Sequence, residues 1–507
     1  MATYPYFALG PNAALSLLGL TRGPDATTPT PVEDWREAKV DVVIPAHNEA
    51  ATIVLCLASL LRQTLRPRRV VLIDDGSSDG TIDAARAFCE RNGLDLLAIQ
   101  RRKPIGKTPT IKRQARELDS DVEFILDGDT VLESPEYIER TVRELYQGVG
   151  IASACGTILP LRRRDRRQLA QQAEVRAFTS VPVAQPVVDE PPMAAFLRGV
   201  TNVYREVLYL FLQRFLYRGQ MEFFGTITNP VGCAVAYRRK YVEALFNHFG
   251  PKLGDDLTNS EDIFIGMGML DQGYRNIQLT DVYARTVEPL CTRLPRQVYL
   301  WSSSFLQSCY YFDALLRSPL RAHKRRQLRR RPPQRGAGRS VDARVASAPT
   351  LAVAGGPSPV VSMTTMFRTA ATAGERAAPE PASTDAADRR VVREAYRQAF
   401  GRKHTREYGR PVGWLLMTSA IEKVFFPTVL LIMMLVRNWE GFWVTVAAET
   451  AIGVTALMIV TKGQRVEFFF KGLAVLPIRY GLLASEMVTL ARFSTDLWVT
   501  RNRKWRK

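Results

Sequence analysis

Residues 122–132 read VEFILDGDTVL and place a bulky apolar stretch directly before two carboxylates, Asp127 and Asp129, which are separated only by Gly128. The apolar run at residues 122–126 predicts a buried strand. A strand that ends in Asp-Gly-Asp brings two hard oxygen ligands to the carboxyl edge of a sheet, where a divalent cation and a phosphorylated ligand can meet. Acidic residues beside glycine are also ordinary turn chemistry, so this stretch alone leaves a strand-ending turn without a metal open.

Two strand-and-helix units precede this stretch. A strand at residues 40–45 leads into AHNE and a periodic apolar segment at 53–65, and a strand at 70–73 leads into DDGSSDGT and a helical pattern at 82–90. This alternation predicts parallel βαβ units and an α/β fold, with a ligand crevice outside the strand ends. A dinucleotide site and a phosphate loop are disfavoured, because neither G-x-G-x-x-G nor G-x-x-x-x-G-K-[ST] is present.

The segments IPAHNEAATI, VLIDDGSSDGT and ILDGDT, in this order and spacing, resemble the nucleotide-sugar half of a family 2 inverting glycosyltransferase with the GT-A fold. The resemblance covers roughly residues 39–301. It implies a Rossmann-like mixed sheet flanked by helices. It also implies an enzyme that transfers a hexosyl or N-acetylhexosaminyl group from a nucleotide-diphospho-sugar, expected to be UDP-linked.

The same resemblance implies roles at the donor end. His47, Asn48, Glu49 and Asp75 would hold the uridine, and Asp75 would contact the base or ribose. Lys107, in IGKTPTIKRQA, is similar to the family's Gly-Lys segment before the metal strand, although the pattern after it is altered.

Asp127 and Asp129 would meet the diphosphate, with Asp129 acting through Mg²⁺ or Mn²⁺. A cation held by carboxylates neutralises a diphosphate leaving group, and oxygen ligands suit Mg²⁺ or Mn²⁺ better than zinc. The chain has only four histidines, which argues the same way.

A candidate base lies in GDDLTNSEDIFIGMGMLDQGYR at residues 254–275. Asp262 precedes an apolar helical run, which places it on a first helical turn, where the helix dipole favours a carboxylate. The residues alone leave an N-terminal capping role open, and Asp255 and Asp256 compete locally. The segment is similar to the family's Thr-Glu-Asp element, which implies that Asp262 is the catalytic base and Glu261 a substrate contact. One displacement by a hydroxyl that Asp262 activates would invert the anomeric centre.

The segment QVYLW at residues 297–301 resembles the Gln-x-x-Arg-Trp signature of processive synthases of the cellulose, chitin and hyaluronan type. Gln297 and Trp301 are kept, which implies substrate contacts, but Leu300 stands in the arginine position. Arg293 or Arg296 could replace that guanidinium only if the loop turns them inward. For Trp301, stacking on an acceptor sugar and anchoring an interfacial helix both remain open.

Two long apolar stretches, at residues 414–436 and 439–460, are each long enough to cross a bilayer. A third, at 468–490, carries charges and a proline, which favours an interfacial or re-entrant segment. The basic tail at 501–507 favours the cytoplasmic side. Charges inside these stretches need an interface or contact with protein; they are Glu422, Lys423, Glu449, Lys471, Arg479 and Glu486.

The net charge of +19 has its clearest source in HKRRQLRRRPPQR near residue 330 and is better explained by anionic lipid headgroups than by nucleic acid. An amphipathic pattern at 195–218 leaves open an interface helix or a core helix with solvated arginines. Six scattered cysteines indicate reduced thiols.

The predicted domains are an apolar interfacial segment at 1–38, a GT-A domain at 39–295, an interfacial helix at 296–318, a basic disordered insert at 319–410, transmembrane or interfacial helices at 411–492 and a basic tail at 493–507.

The sequence therefore predicts a glycosyltransferase in the plasma (inner) membrane, with its catalytic domain in the cytoplasm, that extends an extracellular polysaccharide. Transfer of one sugar to a lipid-linked acceptor is the alternative, and an inactive nucleotide-binding scaffold is a rival of another class. Expected partners are the nucleotide sugar, a polysaccharide or lipid-linked acceptor and membrane lipids, with a homo-oligomer or secretion partners also open. No nucleic acid is expected.

Overall fold

A computed structural model describes residues 8–21, 34–148, 150–176, 178, 190–253, 258, 260–330 and 401–500. Within them, one eight-stranded sheet has the order β3-β2-β1-β4-β7-β6-β8-β5. Its strands are β1 (Val40–Ala46), β2 (Arg69–Asp74), β3 (Leu96–Gln100), β4 (Val122–Leu126), β5 (Thr130–Leu132), β6 (Ile151–Pro160), β7 (Ala234–Arg238) and β8 (Arg275–Thr286). The predicted α/β fold with a mixed sheet is confirmed.

The first four strands pair in parallel, with β1 between β2 and β4. Strand β4 is buried along its whole length, as is typical of a central strand in a mostly parallel sheet, and this burial includes Glu123. On its other side β4 pairs antiparallel with β7, and the backbone N–H of Asp127 donates to the Cys233 carbonyl at 2.9 Å. Asp127, Gly128 and Asp129 therefore occupy the short connection between β4 and β5, at the carboxyl edge of the parallel strands.

Helices cover the sheet and extend beyond it. They are α1 (Pro11–Leu20), α2 (Ile53–Leu61), α3 (Thr81–Asn92), α4 (Lys107–Glu117), α5 (Tyr137–Leu145), α6 (Arg163–Ala170), α7 (Ala173–Arg176), α8 (Pro192–Phe211), α9 (Arg218–Phe224), α10 (Arg239–Leu253), α11 (Glu261–Gln272), α12 (Leu294–Tyr311), α13 (Asp313–Leu316) and α14 (Ala322–Arg330). A π-helical stretch, Leu212–Tyr217, joins α8 to α9, and single 3₁₀ turns lie at Trp35–Glu37, Cys291–Arg293 and Ser318–Arg321.

The C-terminal helices are α15 (Gly401–Tyr408), α16 (Gly413–Leu435), α17 (Trp439–Val460), α18 (Arg465–Ala474) and α19 (Leu476–Ser494), followed by a π-helical turn at Thr495–Val499. Helices α16 and α17 are long and apolar enough to cross a membrane, which confirms the two predicted spans. Helices α18 and α19 meet at a 47° bend and count as a third span only if taken together. Pro477 lies at this break and cannot continue a helix without losing a hydrogen bond.

Helix α1 turns a polar face toward the protein and an apolar face outward. Asn12 and Ser16 are buried, whereas Leu9, Leu17 and Leu18 are each about half exposed. This inside-out distribution suits a helix that faces lipid, because polar side chains in a bilayer need protein partners.

Five of the charges that the sequence predicts to need contact with protein are buried, and Lys471 is partly buried. The five are Glu422, Lys423, Glu449, Arg479 and Glu486. Glu422 accepts hydrogen bonds from the backbone N–H and the side-chain amide of Asn12, at 2.7 and 3.0 Å. Glu449 accepts from the backbone N–H groups of Ala8 and Leu9 and pairs with Arg479. These acids therefore tie α1 to the membrane helices.

One expectation needs correction. The 319–410 segment, predicted to be a disordered insert, begins with a 3₁₀ turn and α14 and ends with α15. Residues 331–400, like Asp255 and Asp256, lie outside the described part. The helix predicted at 296–318 corresponds to α12 and α13, and its position at an interface stays a prediction. Of the two alternatives left open for residues 195–218, solvated arginines do not describe Arg205, which is fully buried.

Candidate active site

A cavity of about 900 Å³ opens beyond the carboxyl ends of β1 and β4 and the amino end of the antiparallel strand β7. It brings together residues that are far apart in the sequence, including Asn48, Glu49, Lys107, Asp127, Asp129, Glu261, Asp262, Gln297 and Trp301. A smaller pocket of about 200 Å³ adjoins it and is lined by His47 and Asp75 as well as by four of these residues. Every site residue predicted from the sequence therefore lines one of two adjoining spaces.

Asp75 is held rigidly in the smaller pocket. Its carboxylate accepts hydrogen bonds from the backbone N–H of Ile105 and of Gly106, at 2.9 and 2.7 Å, and lies 3.1 Å from Arg101. Burial raises the pKa of the Asp75 carboxyl. The two backbone donors and then Arg101 lower this pKa by more than burial raises it, so the net shift is downward. The charged carboxylate thus fixes the loop that precedes α4, in addition to lining the pocket.

The loop after β1 is tied to the loop after β2. His47 contacts the Asp75 carbonyl through Nδ1 at 3.0 Å. Asn48 adopts a left-handed conformation (φ 59°), and its side-chain oxygen accepts from the backbone N–H of Ser78 at 3.0 Å. These bonds hold the wall of the smaller pocket in one shape.

Three carboxylates crowd the junction of the two spaces. Burial, and then the Asp129 charge, raise the pKa of Glu49 to about 8, against a hydrogen bond from Thr52. Burial raises the pKa of Asp127 to about 7, although Lys107 opposes the shift. Burial also raises the pKa of Asp129, whose Oδ1 accepts from Thr286 at 3.2 Å. Burial is thus the main cause of all three pKa shifts, and the charges of neighbouring carboxylates add to it.

Lys107 contacts three separate segments of the cavity wall. Its Nζ lies 2.6 Å from Asp127, 2.7 Å from Glu261 and 3.2 Å from the Gly232 carbonyl. Burial lowers the pKa of Lys107, but the two carboxylates raise it well above its usual range. The ammonium is therefore a fixed positive charge at the centre of the site.

Asp262 lies on the first turn of α11, directly against the loop before β7. Its Oδ1 accepts from the Ser260 hydroxyl and, at 2.8 Å, from the backbone N–H of Ile263. A Cβ atom at Gly232 would lie only 2.8 Å from the Asp262 Cβ and 3.0 Å from its Oδ2. Glycine at position 232 therefore lets this loop approach the carboxylate.

The donor set fits a hard divalent cation. In the described ranges, no group of three or more histidine, cysteine, aspartate or glutamate side chains is arranged to hold a metal ion on its own. Asp127 and Asp129 supply two carboxylates to the site. Mg²⁺ is commonly held by one or two carboxylates together with substrate phosphate oxygens and water, so these two residues suffice on the protein side.

The segment at 297–301 forms part of the cavity wall. Arg293, at the end of the 3₁₀ turn before α12, and Arg296, on the first turn of α12, also line the cavity. Trp301 lines it too and has the Arg205 guanidinium 4.5 Å from its ring centre, so it is not simply an anchor at an interface. Leu300 lies in the wall where the processive signature has an arginine.

Sequence reasoning missed part of the wall. Glu288 follows β8 as an acid at a strand end, the same signal that marked Asp127. Arg198 and Tyr209 line the cavity from α8, eleven residues apart, so they lie on one helix face. The amphipathic pattern of that helix was visible, but which residues faced the cavity depended on packing.

Comparisons with known proteins identify a family for part of this chain. Residues 41–246 match the family described as "Glycosyl transferase family 2". A curated relative, the undecaprenyl-phosphate 4-deoxy-4-formamido-L-arabinose transferase of Serratia proteamaculans (strain 568), is 30% identical over 116 residues, which are 22% of this chain and 35% of the relative. The cholesterol galactosyltransferase of Borreliella burgdorferi (strain ATCC 35210 / DSM 4680 / CIP 102532 / B31) is 30% identical over 96 residues, 19% of this chain and 26% of that protein.

The matched part of the chain thus spans about a third or less of these curated relatives. Among solved structures, the mannosyltransferase PcManGT from Pyrobaculum calidifontis, in complex with GDP-Man and Mn²⁺, shares 15% identity. The alignment covers 96% of both chains with a TM-score of 0.44.

Proposed function

We propose that this chain, in which residues 41–246 form a family 2 glycosyltransferase domain, is a membrane-bound, metal-dependent inverting glycosyltransferase that transfers one sugar to a lipid or lipid-linked acceptor. The observation that supports it best is the shared cavity. Asp127 and Asp129 lie at one end, Asp262 lines the same space, and Lys107 bridges Asp127 to Glu261 beside that base.

The donor would lie across both spaces. The smaller pocket, with His47 and Asp75 in its wall, suits a nucleoside, and uridine remains the expected base. The diphosphate would lie at Asp127 and Asp129, where a bound Mg²⁺ or Mn²⁺ would act as a Lewis acid that neutralises the leaving group. Arg293 and Arg296 add positive charge to the wall on the side where the diphosphate would depart.

The chemical step would be one displacement. Asp262 would take the proton of an acceptor hydroxyl while that oxygen bonds to the anomeric carbon of the sugar. The bond from that carbon to the diphosphate oxygen breaks, and the nucleoside diphosphate leaves with the electron pair. Attack opposite the leaving group inverts the anomeric centre. Lys107 would hold Glu261 and Asp127 in place during this step.

A lipid acceptor is favoured by the position of the cavity beside the membrane helices. Helix α12 carries Gln297 and Trp301 into the cavity wall, and its Ser302 bonds to Glu486 of α19 and to Lys423 of α16. The names of two curated relatives, a transferase to undecaprenyl phosphate and a cholesterol galactosyltransferase, also specify lipid acceptors. With α16 and α17 in the plasma membrane, we place the catalytic domain on the cytoplasmic side.

Extension of a polysaccharide is a second candidate. Gln297 and Trp301 line the cavity as a processive signature would require, although Leu300 does not complete it. Product length separates the two candidates, because only a synthase makes long polymer without added lipid acceptor.

The test is a donor panel with the purified full chain in lipid nanodiscs and Mn²⁺. The donors are UDP-glucose, UDP-galactose, UDP-N-acetylglucosamine and GDP-mannose, and the acceptors are undecaprenyl phosphate and dioleoylglycerol. We expect one donor to release nucleoside diphosphate and label one lipid with a single sugar. Nucleotide binding without turnover of any donor would contradict the proposal and favour an inactive nucleotide-binding scaffold.

A further inference from the structure

Arg205 lies behind the cavity wall, fully buried in the middle of α8. It is one of the largest side chains in the described ranges with less than 2% exposure. A guanidinium keeps its charge at any physiological pH, and burying a charge is costly unless it is paired and hydrogen-bonded. The position of Arg205 therefore has to be explained by its partners.

Its partners are three wall residues from outside α8. One guanidinium nitrogen donates to the side-chain oxygen of Gln297, and Nε lies 3.3 Å from the carboxylate of Glu288. The guanidinium carbon lies 4.5 Å from the ring centre of Trp301. All three partners line the cavity, whereas Arg205 itself does not.

A planar guanidinium can satisfy this set where an ammonium cannot. Its several nitrogens place one at the Gln297 amide and another near the Glu288 carboxylate, while its carbon stays close to the Trp301 ring. Lysine would keep the charge but would offer a single nitrogen to these partners. Arg205 thus fixes Gln297 and Trp301 relative to each other and to Glu288.

These wall residues belong to the acceptor side. Gln297 and Trp301 line the larger cavity together with Asp262, and neither lines the smaller pocket that contains His47 and Asp75. An effect that passes through Gln297 and Trp301 should therefore change acceptor binding more than nucleotide binding.

We propose that Arg205 is a positioning residue for the acceptor, which it controls by holding Gln297 and Trp301 in the cavity wall. The inference rests on the proposed function. Arg205 thus brings a guanidinium from α8 to Gln297 and Trp301. The 297–301 segment itself has Leu300 where the processive signature has an arginine.

The experiment measures transfer by the full chain in nanodiscs, with the donor and lipid that the wild type uses in the panel above. For Arg205→Lys we expect the KM for the lipid to rise about tenfold or more while the KM for the donor stays within about twofold. Trp301→Phe should raise the KM for the lipid as well. The two changes combined should be clearly less than additive, because both act through one contact.

Controls separate this role from a general loss of folding. Arg68→Lys is the matched control, because Arg68 likewise pairs with carboxylates, Asp41 and Asp119, but lies at the amino ends of the parallel strands, away from the cavity. This variant should leave the KM values for the lipid and for the donor unchanged. Release of nucleoside diphosphate to water without acceptor should persist in Arg205→Lys.

The contradicting results are distinct. An active wild type whose lipid KM does not respond to Arg205→Lys would overturn this inference alone. Equal increases in both KM values, or additive effects of Arg205→Lys and Trp301→Phe, would also overturn it. A wild type that transfers no sugar would overturn the proposed function and this inference with it.

Discussion

Two lysines in this molecule are each held by acidic or hydroxyl partners, but in opposite surroundings. Lys107 lies between Asp127 and Glu261 in the wall of an open cavity, with 23% of its side chain exposed. Lys423 lies 2.9 Å from Glu486 and 2.7 Å from the Ser302 hydroxyl, with 4% exposed. The contacts are similar, so access to solvent is the main difference.

This difference separates residues that we expect to act in the reaction from residues that we expect to hold the structure together. The partners of Lys107 face a space that a ligand can enter, and burial, with the charges of neighbouring carboxylates added to it, raises the pKa values of Glu49 and Asp127 there. The partners of Lys423 are sealed among α12, α16 and α19, where the pair joins the catalytic domain to the membrane helices. We expect changes in the cavity to alter turnover and changes in the sealed cluster to alter stability.

The largest expected effect is the loss of the base on the cavity side. Asp262→Asn keeps the size of the side chain but removes its ability to take a proton, so transfer to a hydroxyl should fall about 10²- to 10⁴-fold. Nucleotide affinity, measured by calorimetry with Mn²⁺, should change little. Asp281→Asn, at an exposed carboxylate paired with Arg140, is the matched control. Unchanged transfer in Asp262→Asn would remove Asp262 from the mechanism.

The sealed cluster should respond in stability instead. Lys423→Met leaves the buried Glu486 without its ammonium, and breaking one side of a buried ion pair costs about 3–5 kcal/mol. Thermal unfolding in nanodiscs should show a lower midpoint, and the double variant Lys423→Met with Glu486→Gln should recover part of it. An unchanged midpoint in Lys423→Met would show that this pair does not hold the domains together.

A smaller effect on the cavity side should follow Gly232→Ala. The added methyl would meet Asp262 at 2.8–3.0 Å and displace either the loop or the carboxylate. Since misplacement by about 1 Å can cost about 10²-fold in rate, we expect turnover to fall roughly 10- to 100-fold. Gly148→Ala, where a Cβ meets no atom within 4 Å, should have no effect on turnover. Equal rates for the two variants would mean that Asp262 tolerates the shift.

The smallest expected effect concerns Glu123, a buried glutamate on β4. Neither side-chain oxygen of Glu123 has a hydrogen-bond partner in the described part of the chain, and burial raises the pKa of Glu123 to about 8 despite Arg239. The folded state thus binds a proton that the unfolded state releases near pH 4.5. This contribution to stability is complete below that pH and declines as the pH rises toward 8.

Glu123→Gln keeps a neutral side chain at every pH. It should raise the free energy of unfolding at pH 8 by on the order of 1 kcal/mol relative to the wild type, with little change at pH 5. Thermal unfolding at both pH values checks this. A variant that is equally destabilised at pH 5 and pH 8 would indicate that Glu123 is ionised and paired.

The local sequence predicted the position of the acids after β2 and β4 well, for a physical reason. Acids at strand ends, as at Asp75 and Asp127, are placed by the strands themselves, and parallel strands share one carboxyl edge. The spans at α16 and α17 follow from apolar length alone.

The residues behind the cavity wall and the helix contacts could not be predicted in this way. Arg205 appeared only as one of several arginines on an amphipathic helix, and its burial depends on Glu288 and Gln297, more than eighty residues away. The polar face of α1 is likewise explained only by its contacts with Glu422 and Glu449, which no local sequence pattern predicts. Long-range packing decides which charged residue is sealed and which faces the cavity.

The most direct test of the central claim is the Mn²⁺ dependence of nucleoside diphosphate release by the wild type and by Asp129→Asn, with the donor that the panel identifies. We predict that the wild type loses release in EDTA and regains it with Mn²⁺, and that Asp129→Asn requires far more Mn²⁺ or stays inactive. Release that persists in EDTA and is unchanged in Asp129→Asn would contradict the claim that these carboxylates hold a cation on the departing diphosphate.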